Sequence, residues 1–452
     1  MDRLRVWVDE KPVGWFSRHG RGTTFVYDAH VAPGDAVSLN MPVRAASYDM
    51  EFRMLPAFDT NMPEGELRQK INRVLAKDDR GRSDPFDVLA LTGGNQIGRV
   101  RLLPEDETPQ RRTPVGSIDA ILAAKSNSEM IRGIIEHHAL RSGVSGAMPK
   151  ILADTEEDTG RQTVQTRDWI MKFDAKDIPG LSLNEYHCME AARRAGNITA
   201  EAHLSDDGKT LAVLRFDERD GKRLGFEDFA SLNAKTSDDK YDGSLETSIF
   251  KRLAENSKAQ SRDNLERAYR QVLTSVGLRN GDAHLKNFAL LYDDSIEGPF
   301  ELAPVYDIVT TRAFDEYKDD NMSLTLGGTK RWPKAAQMKQ LGARARLQPK
   351  RASEIMQEVA DGIRAQMTEM VLDISARGNP DLAMRMAQEW NEGISFSLGA
   401  DPVDIASITP DEEALAAHRE VLEARAAARM KIEDPFTADA TRSEPDEDCP
   451  EP

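Results

Sequence analysis

Cysteine is scarce in this sequence. Cys188 and Cys449 are the two cysteines in 452 residues, and they form no CxxC or CxxH pattern. Neither a disulfide framework nor a structural zinc site is therefore expected, which suits a reducing cytosol. The sequence also lacks any stretch of about 20 residues that is apolar enough to cross a bilayer, and its start lacks the apolar run of a signal peptide. We therefore expect a soluble, cytoplasmic protein with no membrane partner.

Positive charge is also in short supply. Lysine and arginine total 60 against 77 acidic residues, which gives a formal net charge of −17. This excess of negative charge opposes a broad electrostatic grip on nucleic acid or on an anionic membrane. Any contact with DNA is therefore expected to be indirect, through a partner.

The length of 452 residues exceeds the size at which one hydrophobic core stops growing, so two or three lobes are expected. The first region, 1–125, opens with alternating apolar residues that predict a small antiparallel sheet. Strand patterns predominate in 126–230, and helical periodicity predominates in 231–400. The last region, 401–452, contains a charged, alanine-rich helix and then an acidic, proline-rich tail. Such a tail cannot support a core, and we expect disorder after about residue 435.

The segment VGLRNGDAHLKNFALLYDD, residues 276–294, concentrates residues that could carry chemistry. Asp282 and Asn287 have the D-x-x-x-x-N spacing of a protein-kinase catalytic loop, which supplies a base and a magnesium ligand. A second carboxylate for metal should follow a short hairpin. Asp307 does so, after two strand-like runs that flank a turn at 295–299. A capped turn with a solvated aspartate is the alternative, and the placement of Asp307 argues against it.

A kinase also needs a strand lysine that holds phosphates, and TVQTRDWIMKF supplies Lys172. Alternation along this strand sends Lys172 to the face beside Ile170. The opposite face carries Trp169, Met171 and Phe173. Glu185, in the helix-like segment LNEYHCMEAARRAG, shares a face with apolar residues and could pair with Lys172, whereas Glu190 is less favoured. An ordinary exposed lysine is the alternative interpretation.

The order of further segments favours a two-lobed kinase. RSGVSGAMPK, residues 141–150, is a glycine- and serine-containing turn that could present backbone N–H groups to phosphate, although it matches neither the Walker nor the G-x-G-x-x-G pattern. TLAVLRFDERD follows the lysine strand and helix, at the place of a kinase hinge. The sequence thus runs from loop to lysine strand, helix, hinge, catalytic loop and metal aspartate.

Together these segments resemble HipA, the serine/threonine-kinase toxin of HipBA toxin–antitoxin modules. The resemblance covers roughly residues 3 to 390 and includes, near the start, FDTNMPEGELRQKI and FDVLALTGGNQIGRVRLLPEDET. The later segments are VSGAMPK, WIMKF, NEYHC, AVLRFDER, NGDAHLKNF and LAPVYDI. It implies an α+β, two-lobed protein-kinase-like fold: a β-rich N-terminal lobe with an extra N-terminal subdomain, and a mainly helical C-terminal lobe.

The resemblance also implies roles for individual residues. Asp282 would be the catalytic base, and Asn287 and Asp307 would bind Mg2+. The residues that would contact ATP are Ser145, Gly146, Ala147, Met148, Pro149, Lys150, Lys172, Leu214, Arg215, Phe216, His284, Lys286 and Tyr306. HipA proteins can be silenced by phosphorylation of a serine just before the phosphate loop. Here the aligned position is Gly143, with Ser142 and Ser145 on either side. Ser145 is the first candidate for an autophosphorylation site, and Ser142 is the second.

The implied activity is ATP-dependent phosphorylation of a protein, typically an aminoacyl-tRNA synthetase, which inhibits translation and causes growth arrest or persistence. The implied partner is a HipB-like helix-turn-helix antitoxin that binds DNA. Two other classes remain open. A small-molecule phosphotransferase of the aminoglycoside or choline kinase type has a closely similar loop, although the N-terminal subdomain argues against it. A binding module without catalysis is disfavoured because the lysine, base and metal-side residues are all present.

Overall fold

The structure is a computed structural model, and it describes residues 2–63, 71–72, 84–109, 118–123, 150–157, 165–174 and 178–429. Within these residues the strands are β1 (Arg3–Val8), β2 (Lys11–His19), β3 (Gly22–Tyr27), β4 (Tyr48–Met50), β5 (Val100–Leu103), β6 (Lys150–Glu157), β7 (Gln165–Phe173), β8 (Ala202–Leu204), β9 (Thr210–Leu214), β10 (Glu218–Arg219), β11 (Lys222–Arg223), β12 (Gly225–Asp228), β13 (Ala289–Tyr292) and β14 (Phe300–Leu302).

The α-helices in the same residues are α1 (Pro56–Asp59), α2 (Pro85–Thr92), α3 (Ile118–Ala123), α4 (Leu181–Arg194), α5 (Phe229–Leu232), α6 (Arg252–Asn256), α7 (Ser261–Gly277), α8 (Ala335–Leu341), α9 (Pro349–Ala376), α10 (Pro380–Glu392), α11 (Ile405–Ile408) and α12 (Glu412–Arg429). None of the described helices is both long and apolar enough to cross a membrane.

The predicted antiparallel sheet at the start of the chain is confirmed. Its strand order is β4-β3-β2-β1-β5. In β1, Leu4, Val6 and Val8 are fully buried, whereas the residues between them are partly exposed, as a strand with one face on a core requires. The core beneath the sheet contains Phe16, whose ring packs against Phe58 from α1 at 4.5 Å between centroids. This core belongs to the N-terminal subdomain.

A second sheet, of order β6-β7-β9-β8, lies between this core and the larger core of the molecule. The predicted alternation in β7 is confirmed: Trp169, Met171 and Phe173 belong to the core of the N-terminal subdomain. Ile170 belongs to the other core. The strand therefore joins the subdomain to the rest of the protein and sends Lys172 toward the opposite side.

Helix α4 confirms the helix predicted from LNEYHCMEAARRAG. It follows Gly180, whose φ of 84° lies in the left-handed region that glycine adopts without steric cost. Its buried face packs against the long helix α9, which also contacts α7 and α10. Helices α7, α9 and α10 build the mainly helical C-terminal lobe, and the core against which α4 packs includes fully buried Trp390.

The two strand-like runs around the predicted turn at 295–299 form β13 and β14. They pair antiparallel in the sheet β12-β13-β14, with Leu290 opposite Leu302. This hairpin returns the chain to the loop that follows α7 and thereby brings Asp307 beside Asn287. The tail after residue 429 lies outside the described residues.

Candidate nucleotide-binding and catalytic site

Lys172 forms two ion pairs across the cleft between the sheet and the helical lobe. Its Nζ donates to Glu185 Oε1 of α4 and to Asp307 Oδ1, the latter at 2.7 Å. Lys172 is 4% exposed and Glu185 is fully buried. Burial by itself would lower the pKa of Lys172, but the negative charges of Asp307 and Glu185 outweigh it and raise the pKa above its usual value. The lysine is therefore held charged and fixed in place.

Asp282 lies in a turn that follows the end of α7. Its backbone N–H donates to Asn280 Oδ1 at 3.0 Å, and its backbone oxygen accepts from the His284 N–H at 2.7 Å. The Asp282 carboxylate is half-buried, and its Oδ1 accepts from the Tyr241 hydroxyl at 2.8 Å. These bonds fix the backbone of the turn and orient the Asp282 carboxylate.

Asn287 and Asp307 meet at the other side of this loop. The Asn287 Oδ1 accepts from the His284 N–H at 2.8 Å, and its Nδ2 lies 3.4 Å from Asp307 Oδ2. Asp307 has a φ of 56°, a left-handed conformation that is uncommon outside glycine and is concentrated at functional sites.

These two residues fit a magnesium ion that is shared with phosphate. Among the described residues, no group of three or more histidine, cysteine or acidic side chains could hold a metal by itself. Mg2+ is usually held by one or two carboxylates together with substrate phosphates and water, rather than by a cage made only of protein atoms. Asp307 offers the carboxylate of that donor set, and Asn287 beside it offers an amide oxygen, which in this structure accepts from the His284 N–H.

A pocket adjoins Lys172 and Asp307, and both lobes and the N-terminal subdomain line it. Its lining comprises Thr60, Asn61, Ile97, Ile170, Lys172, Val213, Phe216, Phe226, Asp228, His284, Lys286, Tyr306 and Asp307. The rings of Tyr306, Phe216 and Phe226 form a cluster, with Tyr306 5.3 Å from Phe216 and 6.3 Å from Phe226 between centroids. An apolar, aromatic end and a charged end thus share one pocket, which suits a base joined to phosphates.

Asp228 and Lys286 form the polar floor of this pocket. Burial raises the pKa of Asp228 to about 7, against a smaller opposing effect of the Lys286 charge. The Asp228 side chain also caps α5 by accepting from the Ser231 N–H at 2.8 Å. Lys286 donates to Ser237 Oγ at 2.8 Å, and its backbone oxygen accepts from the Tyr306 hydroxyl at 2.7 Å. Hydrogen bonds therefore hold the side chains of both Asp228 and Lys286 in position.

The predicted hinge, Leu214 to Phe216, leaves β9 beside the pocket. Phe216 lines it, but the Arg215 side chain turns away and forms an ion pair with buried Asp217. Arg215 also donates to the backbone oxygen of Gln96 at 3.0 Å, and Asp217 accepts from the Gly98 N–H at 2.5 Å. The N-terminal subdomain therefore holds the hinge, and only the backbone of Arg215 remains for contact with a ligand.

The structure brings together most of the candidate residues that it describes. Lys172, Phe216, His284, Lys286, Tyr306 and Asp307 line one pocket, and Asn287 adjoins it. Ser142 and the proposed phosphate loop, Ser145 to Pro149, lie outside the described residues; Lys150 is described as the first residue of β6, paired with Lys172 in register.

Several pocket residues were missed by the sequence analysis. Phe226 and Asp228 follow a turn and match no motif, and Thr60, Asn61 and Ile97 come from a different subdomain. The segment FDTNMP contributed to the family resemblance, and it was the one signal that could have pointed to Thr60 and Asn61.

The two lobes, the lysine–glutamate pair and the catalytic-loop spacing define a protein-kinase-like class. Family models identify the particular group: a HipA N-terminal domain matches residues 4–103, and a HipA-like C-terminal domain matches residues 142–367. The chain belongs to the HipA family.

Two curated relatives and one solved structure are also similar to the chain. Two Sinorhizobium fredii (strain NBRC 101917 / NGR234) proteins are similar: "Putative kinase Y4mE" is 28% identical over 72% of this chain and 80% of its own length, and "Putative kinase Y4dM" is 27% identical over 69% and 75%. HipA from a Shewanella oneidensis MR-1 complex with HipB and operator DNA has a similar fold, with a TM-score of 0.57 and 17% identity over 94% of this chain and 97% of that one.

Proposed function

We propose that this protein is a Mg-ATP-dependent serine/threonine protein kinase and the toxin of a type II toxin–antitoxin module. The observation that carries the proposal is the position of Lys172, which bonds both Glu185 and Asp307 in the pocket that the catalytic loop borders. In protein kinases the corresponding lysine, glutamate and metal aspartate must all be in place for phosphoryl transfer.

The residues of the site divide the work of binding Mg-ATP and activating the acceptor. Asp282 orients and deprotonates the acceptor hydroxyl, and its hydrogen bond from Tyr241 holds the carboxylate in position. Lys172 binds phosphate oxygens, and Phe216, Phe226 and Tyr306 contact the adenine base. Asn287 and Asp307 hold Mg2+, which neutralises charge on the phosphates when it is bound. The family resemblance assigns residues 145–150 to phosphate contact, and residues 145–149 lie outside the described part of the chain.

The substrate and partners rest on the family and on charge. We propose that this kinase acts in the cytoplasm and that it phosphorylates a protein, first of all an aminoacyl-tRNA synthetase. Translation then falls and growth arrests. The Shewanella oneidensis HipA was solved with HipB and operator DNA. A HipB-like partner of this chain would supply the DNA contact, because a net charge of −17 opposes direct binding to DNA.

Replacement of the base tests the proposal. Asp282→Asn removes the proton acceptor and leaves the shape of the side chain unchanged, so we expect at least about a 100-fold loss of protein phosphorylation and no growth arrest on expression. Asp381→Asn, at an exposed position in α10, serves as the control and should keep both activities. Full growth arrest by Asp282→Asn at matched expression would contradict the assignment.

The substrate class is tested in the same preparation. The parent protein is incubated with Mg-ATP and lysate protein, and phosphorylated peptides are mapped by mass spectrometry. Parallel reactions contain an aminoglycoside or choline in place of protein. Transfer to those small molecules, without phosphorylation of any protein, would favour the small-molecule phosphotransferase over the protein kinase.

A further inference from the structure

The last described helix, α12, lies against both lobes of the protein, and none of its residues is more than half-buried. Its contacts are with α9 of the helical lobe and with α3, near the second sheet. Leu415 and Leu422 of α12 are half-buried on the side that carries His418, so the helix buries only a little apolar surface. Because apolar burial is the main term that fixes a helix on a protein surface, the position of α12 depends on this small apolar contact together with specific polar bonds.

The first of these bonds is made by Asp373, a buried residue of α9. His418 of α12 contacts Asp373 Oδ1 at 2.9 Å, and His187 of α4 contacts Asp373 Oδ2 at 3.0 Å. Gln366 Nε2 donates to His187 Nδ1 at 3.2 Å, which leaves the Nε2–H of His187 to donate to the carboxylate. Burial would raise the pKa of Asp373, but His187, Arg377 and His418 outweigh it and hold the pKa well below its usual range. One carboxylate thus joins three helices.

The second bond lies at the end of α12. Arg429 donates to Asp206 Oδ1 at 2.8 Å, in the turn between β8 and β9. Arg377, one residue past α9, donates to the backbone oxygen of the same Asp206 at 2.9 Å and to Asp373 Oδ2 at 3.0 Å. The turn of the second sheet, the α4 helix and α12 are therefore linked through one continuous set of hydrogen bonds.

His187 and Glu185 lie on nearly opposite sides of α4. Two residues apart on an α-helix differ by about 200° around the axis and by about 3 Å along it. Glu185 faces Lys172 at the pocket, and His187 faces Asp373 at the back. A bond that fixes the back of the helix at this level also fixes the position of the glutamate at its front.

We propose that α12 is a latch that positions Glu185. His418 and Arg429 fasten α12 to Asp373 and Asp206, and Asp373 holds His187, so that Glu185 stays paired with Lys172. His187, Asp373 and His418 are positioning residues, because they act through α4 and touch no ligand. The effect on nucleotide binding rests on the proposed kinase function. The latch itself rests only on the contacts described above.

The test removes the latch in the full-length chain by His418→Ala together with Arg429→Ala. We expect Mg-ATP affinity, measured by calorimetry, to fall about fivefold or more, the lower end of typical coupling between sites. Backbone amides of α4 should exchange hydrogen faster. Glu420→Ala, an exposed position on the same helix, is the matched control and should change neither quantity.

The same two substitutions in a Glu185→Gln protein test whether the change in Mg-ATP affinity depends on Glu185. If the latch acts through Glu185, its removal from a Glu185→Gln protein should alter Mg-ATP affinity by less than about twofold, because the two changes share one route. Equal losses in both backgrounds, or unchanged affinity in the first, would overturn the proposal. His418→Ala alone gives the same comparison if the double variant does not fold.

The failure of the latch can be distinguished from the failure of the kinase function. If the parent protein bound no Mg-ATP, the proposed function would fail, and amide exchange in α4 without nucleotide would still decide the latch. Unchanged exchange in α4 after removal of His418 and Arg429 would refute it. Faster exchange limited to α12 would show a helix that packs on the body without positioning Glu185, which also overturns the proposal.

Discussion

Glu185→Gln tests the buried pair at the centre of the site. The substitution keeps the shape of the side chain and one acceptor oxygen, and it removes the negative charge that faces Lys172. Lys172 is 4% exposed, so water cannot replace the lost partner. We therefore expect both the stability of the fold and the affinity for Mg-ATP to decrease.

The size of the effect follows from the contacts that remain. Removal of one partner from a buried ion pair costs about 3–5 kcal/mol when the other charge is left alone. Here Lys172 keeps its bond to Asp307 at 2.7 Å, and glutamine still accepts a hydrogen bond. The expected loss is that of a weakened hydrogen bond to a charged group, about 1.5–3 kcal/mol in the free energy of unfolding.

Denaturant unfolding followed by circular dichroism measures this loss, and calorimetry measures Mg-ATP affinity. Glu190→Gln is the matched control on the same helix, because Glu190 pairs with Arg193 near the surface. It should change the free energy of unfolding by less than about 0.5 kcal/mol. Equal losses in the two variants, or no loss in Glu185→Gln, would refute the view that the buried pair holds the site together.

Three further predictions concern the metal, the pocket and the tail. Asn287→Ala and Asp307→Ala should each weaken the magnesium-dependent part of ATP binding about tenfold or more, and unchanged Mg-ATP affinity by calorimetry in both would remove the metal assignment. Burial raises the pKa of Asp228 in the folded state to about 7. Its contribution to the free energy of unfolding is therefore largest below the pKa of the unfolded state and is lost as pH rises toward 7. Relative to Asp228→Asn, the parent should therefore lose about 3 kcal/mol of unfolding free energy between pH 5 and 8, and parallel stability profiles would contradict this. Truncation after residue 435 should leave the melting temperature nearly unchanged, and a loss of several degrees would show that the tail packs on the body.

The strand, the helix and the loop that carry the candidate residues could be predicted from the sequence, because each leaves a pattern within a short segment. Alternation in β7 fixed which face carries Lys172, and helical spacing in α4 put Glu185 on a buried face. The D-x-x-x-x-N spacing predicted the loop that carries Asp282 and Asn287, and the predicted hairpin before Asp307 is present. In each case the chemistry lies within one or two turns or strands, so periodicity and spacing are sufficient to find it.

The pocket's composition depended on contacts between distant segments. Thr60 and Ile97 reach the pocket only because the N-terminal subdomain packs against the hinge, where Arg215 and Asp217 bind its backbone. The burial that raises the pKa of Asp228 likewise comes from neighbours far along the chain. No spacing rule predicts such neighbours.

The sequence by itself determined the strand that carries Lys172, the helix that carries Glu185 and the loop that carries Asp282, because hydrophobic periodicity and motif spacing are properties of short segments. The tertiary structure alone decided that Asp373 joins His187 to His418 and so links α12 to the Glu185 helix. Those residues are separated by long stretches of chain, and only the packing of α4, α9 and α12 makes one carboxylate the shared partner of both histidines.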